Sequence, residues 1–326
     1  MSHSFEQFVR FTTDAAPFGR RAGLERTFRL FQALSQILSS YTLPFNILLI
    51  LLSYIPTTPA SSSLKGNKGP PNPATTHAVL LGLKNQLALA RRYFRLFRFF
   101  ESFLAAQKIY ISLTSTTTTT TSTTSIGKAK KTSKSGKNGD KGRENIALWL
   151  DVFGRTFNGM YLLLEASTIV DVQGIPGFAI WGPELERAVA VEGQRFWLFS
   201  LVCGVLAGLV RISDVVASAS EDVSASGAKG EEKEEGSTDE KTAEKKVSST
   251  QEQIDHLARS REVRAKISNL GRRVVSDALD ITLPGSVVGW VPVSTGTVGV
   301  AMFVTTVLTS MDIWDRCGRE VAASKK

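Results

Sequence analysis

The sequence predicts an all-α protein in which membrane-associated amphipathic helices are anchored by one or two C-terminal transmembrane helices and separated by disordered linkers. Apolar residues are concentrated in a few stretches between very polar ones, which favours a membrane protein over a single soluble core. Residues 281–311 contain no charged side chain over 31 positions, and a helix needs only about 20 residues to cross a bilayer. Three low-complexity segments contain too few apolar residues to offset the chain entropy that folding removes.

The N-terminal region, residues 1–58, begins with an amphipathic helix. Its apolar residues recur three or four positions apart, which places them on one helical face: Leu24, Phe28, Phe31, Leu34 and Leu38. Residues 45–55 form an apolar run of 11 between two prolines, and a helix that crosses a bilayer needs about 20. We therefore expect a buried or re-entrant helix there. Residues 59–75 are rich in Pro, Gly and Ser, which predicts a linker.

Residues 76–112 are predicted to form one basic-aromatic amphipathic helix. At about 100 degrees per residue, basic residues gather on one side of this helix and mostly apolar and aromatic residues on the other. Guanidinium groups can bind anionic headgroups while aromatic rings enter the acyl boundary. The candidate lipid-binding residues are Lys84, Arg91, Arg92, Arg95, Arg98, Tyr93, Phe94, Phe97 and Phe100. The alternative is an ordinary amphipathic helix whose aromatic face packs on the rest of the protein.

Two further segments are predicted to be disordered linkers. Residues 113–144 are rich first in threonine and then in lysine, and residues 214–250 are rich in glutamate with scattered lysine. The lysine-rich part could bind nucleic acid, but it lacks the aromatic side chains on which bases stack. We therefore expect a solvated loop there and no nucleic-acid partner.

The remaining segments contain the predicted membrane anchors. Residues 145–213 are predicted to be central hydrophobic helices with a candidate first transmembrane segment, because residues 196–210 lack charge over 15 positions. The last three segments are a charged helix, a C-terminal transmembrane segment and a short tail: residues 251–280, 281–311 and 312–326. Pro292 is expected to kink the transmembrane segment or to end its first half.

Glycines four residues apart occur twice in the apolar segments, as Gly204 with Gly208 and as Gly285 with Gly289. Small residues at this spacing let two helices approach closely. We expect these four glycines to serve helix packing, either within the chain or between copies of it.

The N-terminal half is strongly basic. Residues 1–150 contain 20 Lys and Arg against six Asp and Glu, a net charge of +14, although the whole chain is +9. Such a surplus suits an anionic partner, and charge alone does not distinguish nucleic acid from an anionic phospholipid membrane. If the protein spans a membrane, the surplus favours a cytosolic N-terminus.

The sequence offers no pattern typical of a catalytic or metal site. The three histidines, His3, His77 and His256, lie far apart in polar or terminal segments. Cys203 and Cys317 have no partner at metal-ligand or redox spacing. We expect neither an enzyme nor a bound cofactor or metal.

The sequence resembles the peroxin-11 family from one end to the other. Near the N-terminus, the resemblance is carried by Phe-Val-Arg-Phe at residues 8–11, Asp14 and the helix at 26–38. Residues 87–103, with Ala-Arg-Arg-Tyr-Phe-Arg-Leu at 90–96, are similar to the family's arginine-and-phenylalanine segment. Three later segments resemble the family's central helix, its next hydrophobic segment and its closing segment: residues 148–169, 195–198 and 277–314. The linkers depart from this pattern.

The resemblance implies a peroxisomal membrane protein with cytosolic termini that forms a homo-oligomer, recruits fission machinery and is delivered by the import receptor peroxin-19. We therefore expect it to promote elongation, proliferation and fission of peroxisomes by inserting its amphipathic helices. Because the family is also linked to solute-permeable channels, the alternative is a peroxisomal membrane channel for small metabolites. In that channel Asp151, Arg155 and Glu165 would face an aqueous path. A soluble nucleic-acid binder is a third hypothesis.

Overall fold

The computed structural model describes residues 4, 7–8, 15–16, 20–54, 72–121, 137–174, 177–227 and 242–323. A short antiparallel pair, β1 (Ala15–Ala16) with β2 (Arg20–Arg21), lies just before the first long helix. The long elements in the described ranges are helices, which confirms the predicted all-α class. These are α1 (Ala22–Ser40), α2 (Thr42–Tyr54), α3 (Pro73–Arg95), α4 (Arg98–Thr121), α5 (Lys137–Ser167), α6 (Ile169–Val172), α7 (Gly182–Gly227), α8 (Thr242–Asp280), α9 (Thr282–Val288) and α10 (Thr295–Ala323).

The helix α1 packs against α3 and α10. Ala33 of α1 is fully buried, and small residues at a helix contact let the two backbones come close. Gly299 of α10 is one such residue, because a Cβ added there would lie only 3.2 Å from side-chain atoms of Gln36 and Ile37. The Gln36 amide also donates to the Thr295 carbonyl at 2.7 Å, which joins α1 to the start of α10.

A sharp bend of 102 degrees separates α1 from α2. Pro44 lies in the first turn of α2, where a missing backbone N–H breaks no helical hydrogen bond. The sequence therefore starts a new helix at this point instead of extending α1. None of the residues of α2 is buried, so the expectation of a buried helix is wrong for this segment, and the re-entrant alternative stays a prediction.

The stretch predicted as one helix over residues 76–112 forms two helices, α3 and α4. Asn72 caps α3, since its side-chain oxygen accepts a hydrogen bond from Ala74 N at 3.1 Å. Between the two helices, the amides of Leu96 and Phe100 donate to carbonyls three residues back. This tighter turn interrupts the series of α-helical hydrogen bonds. A helical wheel drawn for one continuous helix cannot show such a break.

The loop between α6 and α7 is fixed by Asp171. One oxygen of its carboxylate accepts hydrogen bonds from the amides of Ile180, Trp181 and Gly182, at 2.9, 2.9 and 3.3 Å. Amides at a helix start have no acceptor within the helix, and the Asp171 carboxylate provides that acceptor. Asp171 therefore determines where α7 begins.

Two helices in the described ranges are long and apolar enough to cross a membrane, namely Gly182–Ser220 within α7 and Thr295–Ala323, which is α10. This agrees with one or two C-terminal transmembrane helices. The bounds differ from the prediction, because residues 281–311 contain α9, a turn and only part of α10. Gly289 ends α9 in the left-handed conformation, with φ of 84 degrees, and Pro292 cannot donate a helical hydrogen bond.

The chain divides into two compact units. Unit 1 comprises Met1–Leu104, Arg155–Leu201 and Ser276–Lys326, and unit 2 comprises Ala105–Gly154 and Val202–Val275. Buried residues of unit 1 include Ala33, Tyr161, Leu162, Leu198, Met302, Cys317 and Val321, and those of unit 2 include Ala106, Leu113, Ala147 and Ala207. In unit 1 the rings of Tyr161 and Trp197 stack with centroids 5.3 Å apart; in unit 2 Trp149 contacts Tyr110 and Phe153.

Helices extend into the two segments predicted as later linkers. The helix α4 continues to Thr121 and α5 begins at Lys137, while α7 continues to Gly227 and α8 begins at Thr242. Residues 122–136 and 228–241 lie outside the described residues, as does most of the first linker.

The predicted packing glycines lie in different surroundings. In unit 2, a Cβ added to the buried Gly208 of α7 would collide with Val274 of α8. In unit 1, a Cβ on Gly285 would lie 2.5 Å from the Val291 side chain. Gly289 has no heavy atom within 4 Å of such a Cβ and serves to end α9. Gly208 and Gly285 therefore allow close approach within one chain.

Replacing Gly208 by Ala is expected to lower the free energy of unfolding by about 1–3 kcal/mol, because the β-branched Val274 can move only with its helix. The matched control is Gly271→Ala in α8, where no heavy atom lies within 4 Å of the added Cβ. That control should stabilise the protein by up to about 1 kcal/mol through helix propensity. Thermal unfolding of the detergent-solubilised protein, followed by helical circular dichroism, measures both. Equal melting temperatures for the two variants would contradict the close approach.

Candidate functional site

Unit 1 contains an open cavity of about 200 Å³ whose lining is rich in arginine. We call it the arginine cavity; its basic residues are Arg26 and Arg29 of α1, Arg91 and Arg95 of α3, and Arg98 of α4. Arg91 and Arg95 are four positions apart, so they lie on neighbouring turns of one face of α3, and Arg98 begins α4. Among the described residues, two carboxylates line the same cavity, those of Glu25 and Asp280.

Glu165 of α5 accepts from two side chains beside the cavity. Arg95 Nη2 lies 2.8 Å from its Oε1, and the Tyr161 hydroxyl donates to the same oxygen at 3.0 Å. Arg92 is 3.7 Å away from it. Burial raises the pKa of Tyr161 to about 12. The positive charge of Arg95 lowers this pKa, and the negative charge of Glu165 raises it. The hydroxyl therefore keeps its proton and remains a donor.

Burial disfavours the charged form of Arg95, but Glu165, Tyr161 and Glu25 together reverse this and raise the pKa of Arg95. Its guanidinium is thus fixed as a cation. Glu25 also pairs with Arg98 at 2.5 Å and lies 3.6 Å from Arg95 Nε. Glu25 and Glu165 therefore hold the arginine face of α3 and α4 against α1 and α5.

A second polar cluster joins α1 to the end of α8 and to α10. Arg29 Nη2 lies 2.5 Å from Asp280 Oδ1 and 3.1 Å from Thr305 Oγ1. The Thr305 hydroxyl donates to the same carboxylate oxygen at 2.7 Å. Thr305 is fully buried, so this network satisfies polar groups that water does not reach. Arg26 donates to the hydroxyl of Thr309, one turn further along α10.

Arg91 differs from its neighbours because its partner is neutral. Its Nη1 donates to the Gln32 side-chain oxygen at 2.7 Å, and among the described residues no ion pair includes it. Only 8% of Arg91 is exposed. Burial, with the positive charges of Arg95 and Arg29, lowers the pKa of Arg91 to about 9. The cavity thus contains a cation that its protein surroundings do not neutralise.

The structure separates the predicted lipid-binding residues into two groups. Arg91 and Arg95 face partners within unit 1, whereas Phe97 and Phe100 are 71% and 57% exposed. Tyr93 is also exposed, and Phe94 packs partly on Phe28 with ring centroids 5.6 Å apart. Arg92 and Arg98 are more exposed than Arg91 and Arg95, and Lys84 is partly exposed.

This arrangement differs from the alternative in which the aromatic face packs on the protein. Phe97 and Phe100 belong to a row of exposed apolar side chains in unit 1, which we call the aromatic stripe: Val79, Leu83, Tyr93, Phe97, Phe100 and Leu104. The members from Tyr93 onward are three or four positions apart, as on one side of a helix. It is the arginine side that contacts the rest of the unit.

Several site residues were not predicted from the sequence, among them Glu25, Arg29, Gln32 and Asp280. Their partners are 59 to 251 positions away in sequence, so no local pattern marks them. The only local signal is that Glu25 and Arg29 lie on a helix that is otherwise largely apolar on one face.

The charged residues assigned to a channel path are not gathered at one place. Asp151 pairs with Arg211 in unit 2, whereas Glu165 pairs with Arg92 and Arg95 in unit 1. Arg155 is exposed. Both carboxylates therefore pair with arginines other than Arg155.

The chemistry of the arginine cavity suits an anion rather than a metal ion. Across the described part of the chain, no three His, Cys, Asp or Glu side chains are grouped so that they could hold a metal. Guanidinium groups supply several N–H donors in a fixed plane, which matches carboxylate or phosphate oxygens.

The comparisons with known proteins identify the family. The family model described as Peroxisomal biogenesis factor 11 (PEX11) matches residues 122–314, more than half of the chain. No curated protein and no solved structure matches significantly. The match begins beyond the arginine helices, so the resemblance of residues 8–103 stays a prediction. The family is one of peroxisome biogenesis factors and is not known as an enzyme family. The chain therefore belongs to the peroxisomal biogenesis factor 11 family, as a peroxisomal membrane protein that acts in peroxisome biogenesis.

Proposed function

We propose that the protein elongates the peroxisomal membrane, and thereby promotes proliferation and fission of peroxisomes, by inserting exposed apolar side chains into one leaflet and by self-association. The observation that carries this proposal is the aromatic stripe, which points away from the contacts that hold α3 and α4 in unit 1. Side chains inserted to a shallow depth expand one leaflet relative to the other, which favours curvature.

The exposure of the stripe is large for a protein surrounded by water. Val79, Phe97, Phe100 and Leu104 are each more than half exposed. Large apolar side chains exposed together in one region are typical of a membrane or protein interaction site. A membrane is favoured because the same unit contains a candidate spanning helix, α10.

The helix α2 adds a second apolar surface to unit 1. Leu43, Ile50, Leu51 and Tyr54 are between 56% and 78% exposed, and α2 bends sharply away from α1. With 13 residues, α2 is too short to cross a bilayer, for which about 20 are needed. It therefore supports insertion into a single leaflet.

The candidate lipid-binding residues have two separate roles. In this proposal Tyr93, Phe97 and Phe100 enter the acyl boundary, with Phe94 at the edge of the inserted surface. Arg92 and Arg98 bind the headgroups of anionic phospholipids, since they are more exposed than Arg91 and Arg95. Lys84, which is partly exposed, binds them as well. The helices α7 and α10 anchor the chain.

The family resemblance supports the cellular part of the proposal. Delivery by peroxin-19, recruitment of fission machinery and a homo-oligomer follow from it, as do cytosolic termini. The net charge of +14 over residues 1–150 supports a cytosolic N-terminus. The exposed Val300, Val304, Val307 and Met311 form a row on α10 that is available to lipid or to a second copy.

The double variant Phe97→Asp with Phe100→Asp is expected to abolish tubulation of liposomes that contain anionic phospholipid. Burying one phenylalanine contributes about 1.5–3 kcal/mol, and an aspartate at either position would have to be taken out of water. Electron microscopy of liposomes with the reconstituted full-length protein measures tubule length and number.

The control is Phe178→Asp, which changes a similarly exposed aromatic residue, 68% accessible, outside the stripe. It should tubulate as the unmodified protein does. Tubules of normal number and length with the double variant would refute insertion of the stripe.

A further inference from the structure

We propose that the arginine cavity is a binding site for a phosphate group that carries at least two negative charges. The site is separate from the aromatic stripe, and nothing in the membrane-insertion proposal requires it. Its ligand would be held by Arg26, Arg29, Arg91 and Arg95 at the interior of unit 1.

The first argument is charge. Five guanidinium groups line the cavity against two carboxylates, a surplus of three positive charges. Including Glu165, and Arg92 which also pairs with it, gives six arginines against three carboxylates and leaves the surplus at three. Like charges concentrated in a partly buried site are unfavourable unless an anion binds there.

The second argument is that two of these cations have only neutral partners. Arg91 donates to the Gln32 amide oxygen and Arg26 to the Thr309 hydroxyl. Within the described residues neither forms an ion pair. In contrast, Arg29, Arg95 and Arg98 each pair with a carboxylate. The cavity therefore has two cations left for a ligand, which matches a dianion.

The third argument comes from N–H groups that lack acceptors. The Nε atoms of Arg29, Arg91 and Arg95 are buried and have no hydrogen-bond partner among the residues that the structure describes. A buried donor without a partner costs free energy. A phosphate group offers several acceptor oxygens and is bound by guanidinium groups through paired hydrogen bonds, so it can satisfy these donors together.

The size and the titration of the site agree with this ligand. A volume of about 200 Å³ holds several water molecules, and the cavity is open, so a phosphate group fits with the rest of its molecule outside. The lowered pKa of Arg91, about 9, reflects burial beside Arg95 and Arg29, which the negative charge of Glu25 offsets only in part. At neutral pH the group is still a cation and can bind one.

A doubly charged phosphate could come from a lipid headgroup or from a soluble compound. The full-length protein is tested in a neutral detergent with inorganic pyrophosphate, and in nanodiscs of phosphatidylcholine with or without phosphatidic acid. Pyrophosphate binding is measured by calorimetry, and each ligand's effect on the melting temperature is recorded. Stabilisation by phosphatidic acid alone identifies a lipid source, whereas stabilisation by pyrophosphate identifies a soluble one.

The variant Arg91→Met is expected to bind pyrophosphate or phosphatidic acid, whichever stabilises the unmodified protein, about 10- to 100-fold more weakly. The loss of a charged hydrogen-bond donor has an effect of this size. Its melting temperature without anion should not fall, because removing a buried cation with a neutral partner relieves repulsion. The control is Arg264→Met on the exposed part of α8, which removes the same charge and should leave binding unchanged.

If Arg91→Met does not fold, Arg26→Met makes the same test, since Arg26 also has a neutral partner. The proposal is overturned if neither probe stabilises the unmodified protein, or if the cavity variant and the Arg264 control bind equally well. Neither variant alters a stripe residue, so liposome tubulation distinguishes failure of this proposal from failure of membrane insertion.

Discussion

Replacing Asp280 by Asn should lower the free energy of unfolding by about 3–5 kcal/mol, the range for removing one partner of a buried ion pair. The side chains of Asp280 and Arg29 are 11% and 13% exposed, and the buried hydroxyl of Thr305 depends on the same carboxylate. Without the negative charge, Arg29 is left as a buried cation among neutral groups. The loss should loosen the contact between α1, α8 and α10 in unit 1.

Unfolding can be followed at Cys317, which is fully buried in α10 and reacts with a thiol-specific dye only when unit 1 opens. A Cys203→Ala background removes the other of the two cysteines. In the purified protein, heated in detergent, the Asp280→Asn variant should be labelled at a clearly lower temperature.

The matched control is Asp214→Asn. Asp214 lies 3.9 Å from Arg143, and their side chains are 20% and 57% exposed; water reaches the long, exposed partner, so the pair should contribute only about 0–1 kcal/mol. Adding Arg29→Met to Asp280→Asn should restore part of the stability, because the uncompensated cation is then gone. Labelling of Cys317 at the same temperature in both single variants would contradict the role assigned to the pair.

The second large effect is expected for Glu165→Gln, again about 3–5 kcal/mol of destabilisation. Glu165 Oε1 accepts from Arg95 and from the Tyr161 hydroxyl and lies near Arg92. A neutral amide can accept one of these hydrogen bonds but cannot offset the charge of Arg95. The pKa of Tyr161 should fall below its value of about 12, because the charge of Glu165 is one of the causes that raise it.

The same Cys317 assay and a pH titration of tyrosine absorbance measure these two effects. Glu192→Gln is the control, since Glu192 pairs with Arg195 in a pair whose side chains are 52% and 42% exposed. It should change the melting temperature little, in keeping with about 0–1 kcal/mol for exposed pairs. If Glu165→Gln and Glu192→Gln melt alike, Glu165 does not hold α3 to α5 as the contacts indicate.

The direction in which the basic-aromatic helix faces could not be predicted from its own residues. A helical wheel assigns arginines to one side and aromatic residues to the other, but it contains no information about which side meets the protein. That choice depends on Glu25, 73 positions from Arg98, and on Glu165, 70 positions from Arg95. Both are single acidic residues outside any recognisable motif, so only folding brings them to the arginine side.

The glycine pairs show the same limit. Gly285 and Gly289 are identical residues at a spacing typical of helix packing, yet one lies tightly against Val291 and the other ends a helix with positive φ. Spacing predicts that small residues are useful in a segment. Whether a glycine serves a close contact or a turn depends on the backbone conformation at that position. Near Gly289, Pro292 disfavours continuation of the helix because it lacks a backbone N–H.

The sequence by itself determined the all-α class, the family and the presence of apolar helices long enough to cross a membrane. The helical class and the apolar helices follow from periodicity and composition within single segments, whereas the family follows from the resemblance and from the match over residues 122–314. Only the tertiary structure decided that Arg91 and Arg95 of α3 face inward, that the aromatic stripe faces outward and that a cavity with surplus positive charge exists. Such features depend on charge pairs between distant parts of the chain, because the energy of a buried charge is set by the groups that surround it.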